Sequence, residues 1–569
     1  SGSTFGSGSV IIANAVAAAN AAPAITQCNN GTFTMAANAV ASPAIGTWTV
    51  TSGTATITSP NSPTTTITGV AAGASATLRW TIVNTGCNST NSSVVLTNSS
   101  NNTWSGVTSI DWNTASNWSC GGVPTATSVV VIPSGTPFSP SIYQTANGLA
   151  KTVTINSGAT LSMSNAYELT LSTAGGFTNN GTFSAGNGTV SFLGTGTIAG
   201  STATTFNNVT IAGGVNFGVT ATVVGNLKIN TGGYVDTNVP TYSNTSTLIY
   251  NTGGTFARAL EWSTTSGAGY PNNVTIQANT ILDVINGSAT YKKAAGNLTI
   301  VSGSQLLIHN SKLALDADRS AVDGIRGIGV HFLGDISNSG TINLTGTTDS
   351  RLKCNNYLNT STGTLSLLTG ASNVGADLEV VSNFTNNGTF NSNNRGIFFT
   401  GPATQVVSGT AASPFDINYV VVKKPASSGV VRLDVGVTVA APNGNGAVVF
   451  GSSNDIIDLN GHTLTIGTSG LNCFVDSGDL GKFKGSASGS NLVLLGTGDV
   501  GIISFDQTTP GTSNNLDTFT VNRTSSGNVT IGSDVNVKTT VTLTAGTINL
   551  ASANMTVGAS GTIAVSSPS

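Results

Sequence analysis

Residues 190–211 read VSFLGTGTIAGSTATTFNNVTI: a short apolar strand, a small polar turn, a second strand, a loop, then a strand led by asparagine. The phrase returns at 247–276, ending YPNNVTI, at 396–422 as GIFFTGPATQVVSGTAASPFDINYVVV, and at 491–521 as NLVLLGTGDVGIISFDQTTPGTSNNLDTFTV. Repetition on this scale marks stacked structural units, none of which can bury its apolar face without a neighbour. A shorter phrase, FTNNGTF, occupies 177–183 and 384–390 and loosens to ISNSGTI at 336–342. Each copy reads as strand, Asn-Gly turn, strand. Asn and Gly both accept positive φ, so these turns are expected to be left-handed corners.

Composition sets the class. Charged residues make up 7% of the 569, hydrophobic residues 38%, glycine alone numbers 70, and the formal net charge is -3. Disorder requires low hydrophobicity with high net charge, which is the opposite balance. Val, Thr, Ile and Phe alternate with small polar residues at period two, as in Asn208-Val209-Thr210-Ile211 and Thr463-Leu464-Thr465-Ile466. The Ala-rich run 13–22 ends at Pro23 and reads as linker or strand. The predicted class is all-β. No apolar run approaches the ~20 residues needed to span a bilayer, and the 19 Lys and Arg are scattered, so neither membrane insertion nor nucleic-acid binding is expected.

Four segments follow. Residues 1–24 are expected to be a linker or an edge strand continuing from a preceding module. Residues 25–98 form a small β-sandwich of short strands with Trp48 and Trp80 as core aromatics. Residues 99–150 hold Trp104, Trp112 and Trp118, half of the six tryptophans, and are expected to cap a solenoid's open end. Their alternative role is a platform on which sugar rings stack. Residues 151–569 are expected to be a parallel β-helix or related β-solenoid with coils of roughly 20 to 25 residues, broken by a charged loop insertion at about 312–330. The chain opens at Ser1 without Met or a signal peptide and stops in mid-pattern, and so reads as part of a longer protein.

The stretch WTVTSGTATITSPNSPTTTITGVAAGASATLRWTI, bracketed by Cys28 and Cys87, resembles the immunoglobulin-like PKD-type repeats of large surface adhesins of the Bacteroidota. The W-x-G…DW…NW segment and the GTVSF…IAGSTATTFNNVTI phrase are similar to cell-surface and gliding-motility adhesins exported by the type IX secretion route. The resemblance implies a spacer or adhesive role at the bacterial cell surface rather than a reaction.

Candidate chemistry is sparse. Five cysteines are present, and a Cys28–Cys87 disulfide is expected because the pair flanks one compact β-segment, whereas Cys120, Cys354 and Cys473 read as small buried hydrophobes. Charged residues gather only between Lys312 and Lys353. There Asp316, Asp318 and Asp323, with Arg and His nearby, are candidates for acid/base work on a glycan or for holding Ca²⁺, beside the plainer reading of a solvated loop. Asp316-Ala317-Asp318 lacks the Gly and later Glu of an EF-hand loop. Gly496-Thr497-Gly498-Asp499-Val500-Gly501 matches a dinucleotide pattern, but Ile502-Ile503-Ser504-Phe505 continues as strand where a helix is needed. His309, His331 and His462 lie too far apart to suggest zinc or a catalytic relay.

The expected function is a non-enzymatic extracellular structural and adhesive module, its partners the other modules of the same long chain and surface glycans or a substratum. No cofactor is expected apart from the Ca²⁺ candidate. Two alternatives stand beside it: a carbohydrate-active β-helix enzyme using residues 312–353, and a subunit that self-associates into extracellular filaments.

Overall fold

The computed structural model describes residues 16–566 apart from 86–88, 144–145, 165, 219–220, 258–259, 265, 285–291, 311–327, 333, 347–349, 370–375, 411–414, 426–428, 441–445, 470–473 and 477–480. The described residues are all-β: small N-terminal sheets are followed by a long parallel β-solenoid, and the helical elements are two single turns of 3₁₀, Ala115–Asn117 and Leu260–Trp262. The chain forms two compact units, Ser1–Asn207 and Asn208–Ser569.

In the first unit, a four-stranded sheet runs in the order Ile25–Cys28, Thr90–Ser99, Ala74–Val83, Ile45–Ser52, and a three-stranded sheet joins Phe33–Thr34, Thr66–Thr68 and Thr56–Ile57. Alternation along Ala74–Val83 turns Ala76, Leu78, Trp80 and Ile82 inward, where they meet Phe33 and Ile67 of the other sheet in one core. Trp48 and Trp80 are register partners with ring centroids 5.2 Å apart, and a Cβ on Gly46 would strike the Trp80 ring. Residues 16–22 are no free linker. Ala21 is buried in this core, and Thr90 Oγ1 accepts from Ala19 N and donates to Ala17 O.

Parallel coil strands begin earlier than the expected residue 151. Asn101–Thr103 pairs with Val129–Ile132, which pairs with Gly148–Ile155, which pairs with Glu168–Asn179, all parallel. The supposed junction therefore already contains stacked coils. The expected Cys28–Cys87 bond is not formed: Cys28 is joined to Cys120, 92 residues on, and Cys87 lies outside the described residues. The cause is this early start, since the chain after the sandwich folds straight back into a coil whose turn brings Cys120 to Cys28.

The second unit is built on an unbroken parallel ladder of fifteen strands, from Asn208–Ile211 and Asn226–Asn230 through Tyr357–Asn359 and Phe384–Asn386 to Asn528–Ile531 and Thr547–Asn549. Fourteen spacings of ~4.8 Å give it a length of about 67 Å. Val209, Leu227, Leu248, Val274, Leu298 and Ile336 occupy one inward column on successive coils, each buried side chain contributing ~1.5–3 kcal/mol. Further parallel sheets close the coils, including Lys292–Ala294 through Phe474–Asp476 and Phe415–Ile417 through Met555–Val557. Leu298 pairs directly with Ile336, and residues 311–327, which hold most of the expected charged insertion, lie outside the described residues.

The repeated asparagines have distinct jobs. At an outer corner an amide oxygen, or at Asp335 a carboxylate oxygen, accepts the backbone N–H of the next coil: Asn273 from Asn297 at 2.9 Å, Asn297 from Asp335 at 2.8 Å, Asp335 from Asn356 at 3.1 Å, Asn356 from Asn383 at 2.9 Å and Asn383 from Val406 at 2.9 Å. The steps are 24, 38, 21, 27 and 23 residues long, so register is kept although coil length is not. Inside, Asn338 of the N-S-G phrase and Asn386 of the second N-N-G phrase are joined through Asn359 into a second ladder, whereas Asn179 of the first N-N-G phrase donates to Thr204 Oγ1 at 3.2 Å. Buried Asn338 donates to Asn359 and Asn359 to Asn386, each at 2.9 Å.

The glycines of these phrases correct the expected turn. Gly181, Gly340 and Gly388 do not have positive φ; instead a Cβ at Gly388 would lie 2.3 Å from the carbonyl oxygens of both Thr360 and Gly363 on the preceding coil. Glycine is required because the layer below occupies the space of its side chain. Gly388→Ala is therefore expected to cost ~1–3 kcal/mol by overpacking, and Asn359→Leu roughly 1–3 kcal/mol for each buried polar partner it abandons. Faster hydrogen exchange at Asn387 and Thr389 would check both. Breaking the Cys28–Cys120 bond is expected to lower the stability of the first unit by about 4–5 kcal/mol in the chain-entropy account, seen as a lower melting temperature in reductant and in Cys120→Ser.

Candidate functional site

Trp104, Trp112 and Trp118 do come together, but not as a sugar platform. Trp118 packs edge-on against both others, at centroid distances of 4.9 and 4.8 Å, and all three are buried. Two of the three indole nitrogens are spent within the fold, Trp104 Nε1 donating to Phe138 O at 2.6 Å and Trp118 Nε1 to Trp112 O at 2.7 Å, while Trp112 Nε1 is buried without an acceptor. Buried Asn117 ties the intervening loop, accepting from Thr108 N and Ser109 N and donating to Asp111 O. Stacking on a glycan needs an open ring face, so this candidate contact is corrected to a core cluster.

The carboxylates Asp316, Asp318 and Asp323 lie outside the described residues. Among the described residues no group of three or more His, Cys, Asp or Glu side chains is placed to hold a metal ion. His309 Nδ1 stands 3.9 Å from Asp283 Oδ2, and His462 is a turn residue whose N–H donates to Leu459 O. Cys354 is a buried free thiol whose pKa desolvation raises, and Cys473 lies outside the described residues.

The glycine-rich stretch 495–498, where the strand Asn491–Thr497 ends, binds a cation of its own chain. Buried Arg523 donates to three of its carbonyls: Nε to Gly498 O at 2.9 Å, Nη1 to Leu495 O at 2.5 Å and Nη2 to Thr497 O at 2.6 Å. A phosphate loop offers N–H groups to an anion, whereas this one presents oxygens to a guanidinium, whose planar fork matches several acceptors at once. Beside it lies a surface groove of about 470 Å³ lined by Asp499, Ile502, Asn528, Thr530, Thr547 and Asn549. Ile502, Thr530 and Asn549 are register partners on three successive coils, so the groove floor is one outward column. Asp499 Oδ1 accepts from Asn528 N at 2.8 Å, which fixes the carboxylate at the rim. A hydroxyl and amide surface with three aliphatic side chains, Ile502, Ile548 and Leu550, and one carboxylate suits a polyhydroxylated ligand.

Two buried polar clusters escaped sequence reading because their members are 19 to 31 residues apart and ordinary in type. Lys353 Nζ is 3.2 Å from Glu379 Oε1, which also accepts from Thr400 Oγ1 at 2.9 Å. Lys424 Nζ donates to Gln405 Oε1 at 2.5 Å and Ala403 O at 3.0 Å, while its backbone N donates to Asp455 Oδ1 at 3.2 Å. Burial pushes the Lys424 ammonium down to about 8, partly offset by Asp455, and burial pushes the Asp455 carboxyl up. The one sequence signal is a Lys-Lys pair directly after the fully buried strand Tyr419–Val422. Arg523→Met is expected to cost roughly 1–3 kcal/mol for each carbonyl that loses its donor, and Arg523→Lys to restore only part, because an ammonium cannot span three acceptors. Hydrogen exchange across 491–531 measures both.

Residues 103–240 match a family described as a domain of unknown function, DUF8693, a stretch that takes in the Trp cluster and the early coils. No curated protein matches the chain.

Proposed function

We propose that this chain is a non-enzymatic structural and adhesive module of a large bacterial cell-surface protein, working outside the cell and contacting glycans through the polar faces of its coils. The observation that supports this reading best is the use made of its rare charges. Arg523 is taken up by carbonyls, Lys424 by Gln405, Lys484 by Asp458 at 2.8 Å and Arg432 by Asp434 at 2.8 and 2.9 Å. The first three tie one coil to the next, and the last closes the end of the strand Gly429–Leu433. Outward columns carry hydroxyls and amides instead, such as Thr385 and Ser408, bonded to each other at 2.9 Å across adjacent coils.

The Cys28–Cys120 bond supports an oxidising, extracytoplasmic setting. The resemblance of 48–82 to PKD-type repeats, and of the repeated coil phrase to type IX-exported gliding and surface adhesins, supports the placement in a larger surface protein of the Bacteroidota.

Screening the purified chain on a glycan array, with release of reducing ends followed in parallel, tests the reading. Retention of neutral polysaccharide without new reducing ends is expected, with affinity cut about tenfold, near 1.4 kcal/mol, by Ile502→Asp in the groove. Polysaccharide turnover abolished by Asp316→Asn or Asp318→Asn would overturn it in favour of a carbohydrate-active enzyme.

A further inference from the structure

Gln405, Lys424 and Asp455 come from consecutive coils of the second unit. Gln405 opens the strand Gln405–Gly409 and pairs with Val431; Asp455 opens Asp455–Asp458 and pairs with Gly429; Lys424 follows the strand Tyr419–Val422. Gln405 and Asp455 are fully buried and Lys424 is 7% exposed. The lysine stem is accommodated by a glycine: a Cβ on Gly429 would fall 1.6 Å from Lys424 Cγ.

The glutamine is held rigidly and with a defined orientation. Its Nε2 donates to Val380 O at 2.8 Å and Ser382 O at 2.6 Å, and its Oε1 accepts from Gly401 N at 3.1 Å and from Lys424 Nζ at 2.5 Å. Two carbonyls fix the amide nitrogen on one side, which leaves the carbonyl turned to the amine. A primary amine and a carboxamide thus share a dry site at contact distance, with a backbone N–H already on the carbonyl oxygen.

We propose that Lys424 and Gln405 become joined by an intramolecular amide cross-link between Nζ and Cδ. The uncharged amine attacks Cδ, forming the new N–C bond, and the negative charge that develops on Oε1 is met by the Gly401 N–H. Collapse breaks the Cδ–Nε2 bond. One proton from the attacking nitrogen passes to the departing one, so a primary amine and a carboxamide give a secondary amide and free ammonia, with no oxidant or cofactor. Holding the two groups in place makes the step intramolecular, where effective molarities on the order of 10⁵ M and above are reached, and burial brings the ammonium down to about 8, so that a minor uncharged fraction is present near neutral pH and grows as pH rises. The product ties two successive coils covalently and removes a buried charge.

Mass spectrometry of the reduced full chain decides it. The expected result is a chain lighter by one ammonia and a branched proteolytic peptide carrying both Gln405 and Lys424, with full mass restored in Lys424→Arg and Gln405→Ala. A wild-type mass equal to the sequence sum, with Lys424 recovered in an unbranched peptide and acylated by an amine reagent in a pH-dependent manner centred near 8, overturns the proposal. The wild-type mass settles the question even if either variant fails to fold.

Discussion

A single coil of this chain cannot satisfy its own backbone. Its strands run parallel to those of the coils above and below, so every ladder N–H and C=O must find its partner one layer away, and the layer must present that partner at the same position along the sequence phrase. This requirement explains why the phrase is repeated rather than merely β-rich. Side chains that can both donate and accept extend the same rule outward from the backbone. Asparagine at the corners accepts the next coil's N–H, and asparagine inside hands its amide proton to the asparagine of the next layer.

Close layering limits what else the stack can hold. At Gly388 the layer below occupies the volume of a methyl group, and at Gly429 a lysine stem does. A cation admitted to such a place can be met by neutral oxygens within reach. Arg523 rests on loop carbonyls and Lys424 on a carboxamide and a carbonyl. The energetic demand is desolvation, and oxygen dipoles fixed by the ladder answer it.

The coil repeat could be read from residues alone because inward aliphatic positions and corner asparagines recur together in one phrase even where the coil length varies, and Trp48 and Trp80 announced a small apolar core. The physical cause of the Asn-Gly phrase could not be read. Positive φ and close approach select the same residue, and only the preceding layer tells them apart. Cys120 was hidden for a related reason, since its partner depends on where the chain folds back after residue 99, and a run such as Val129-Val130-Val131-Ile132 does not reveal that it is already a coil strand. The three tryptophans marked a packed segment by their density, but ring exposure is a tertiary property. Lys424 and Gln405 are unremarkable in sequence, and their meeting depends on a register set by strands between them.

The 38-residue step from Asn297 to Asp335 shows something about how such a protein can change. Because Asn297 still receives the Asp335 N–H and Leu298 still faces Ile336, the length of chain between two layers is uncoupled from their stacking. A coil of this kind has a splice point away from its paired corner: new sequence can be added there without renegotiating any neighbouring layer, so the scaffold can acquire appendages, and with them new specificities, one coil at a time.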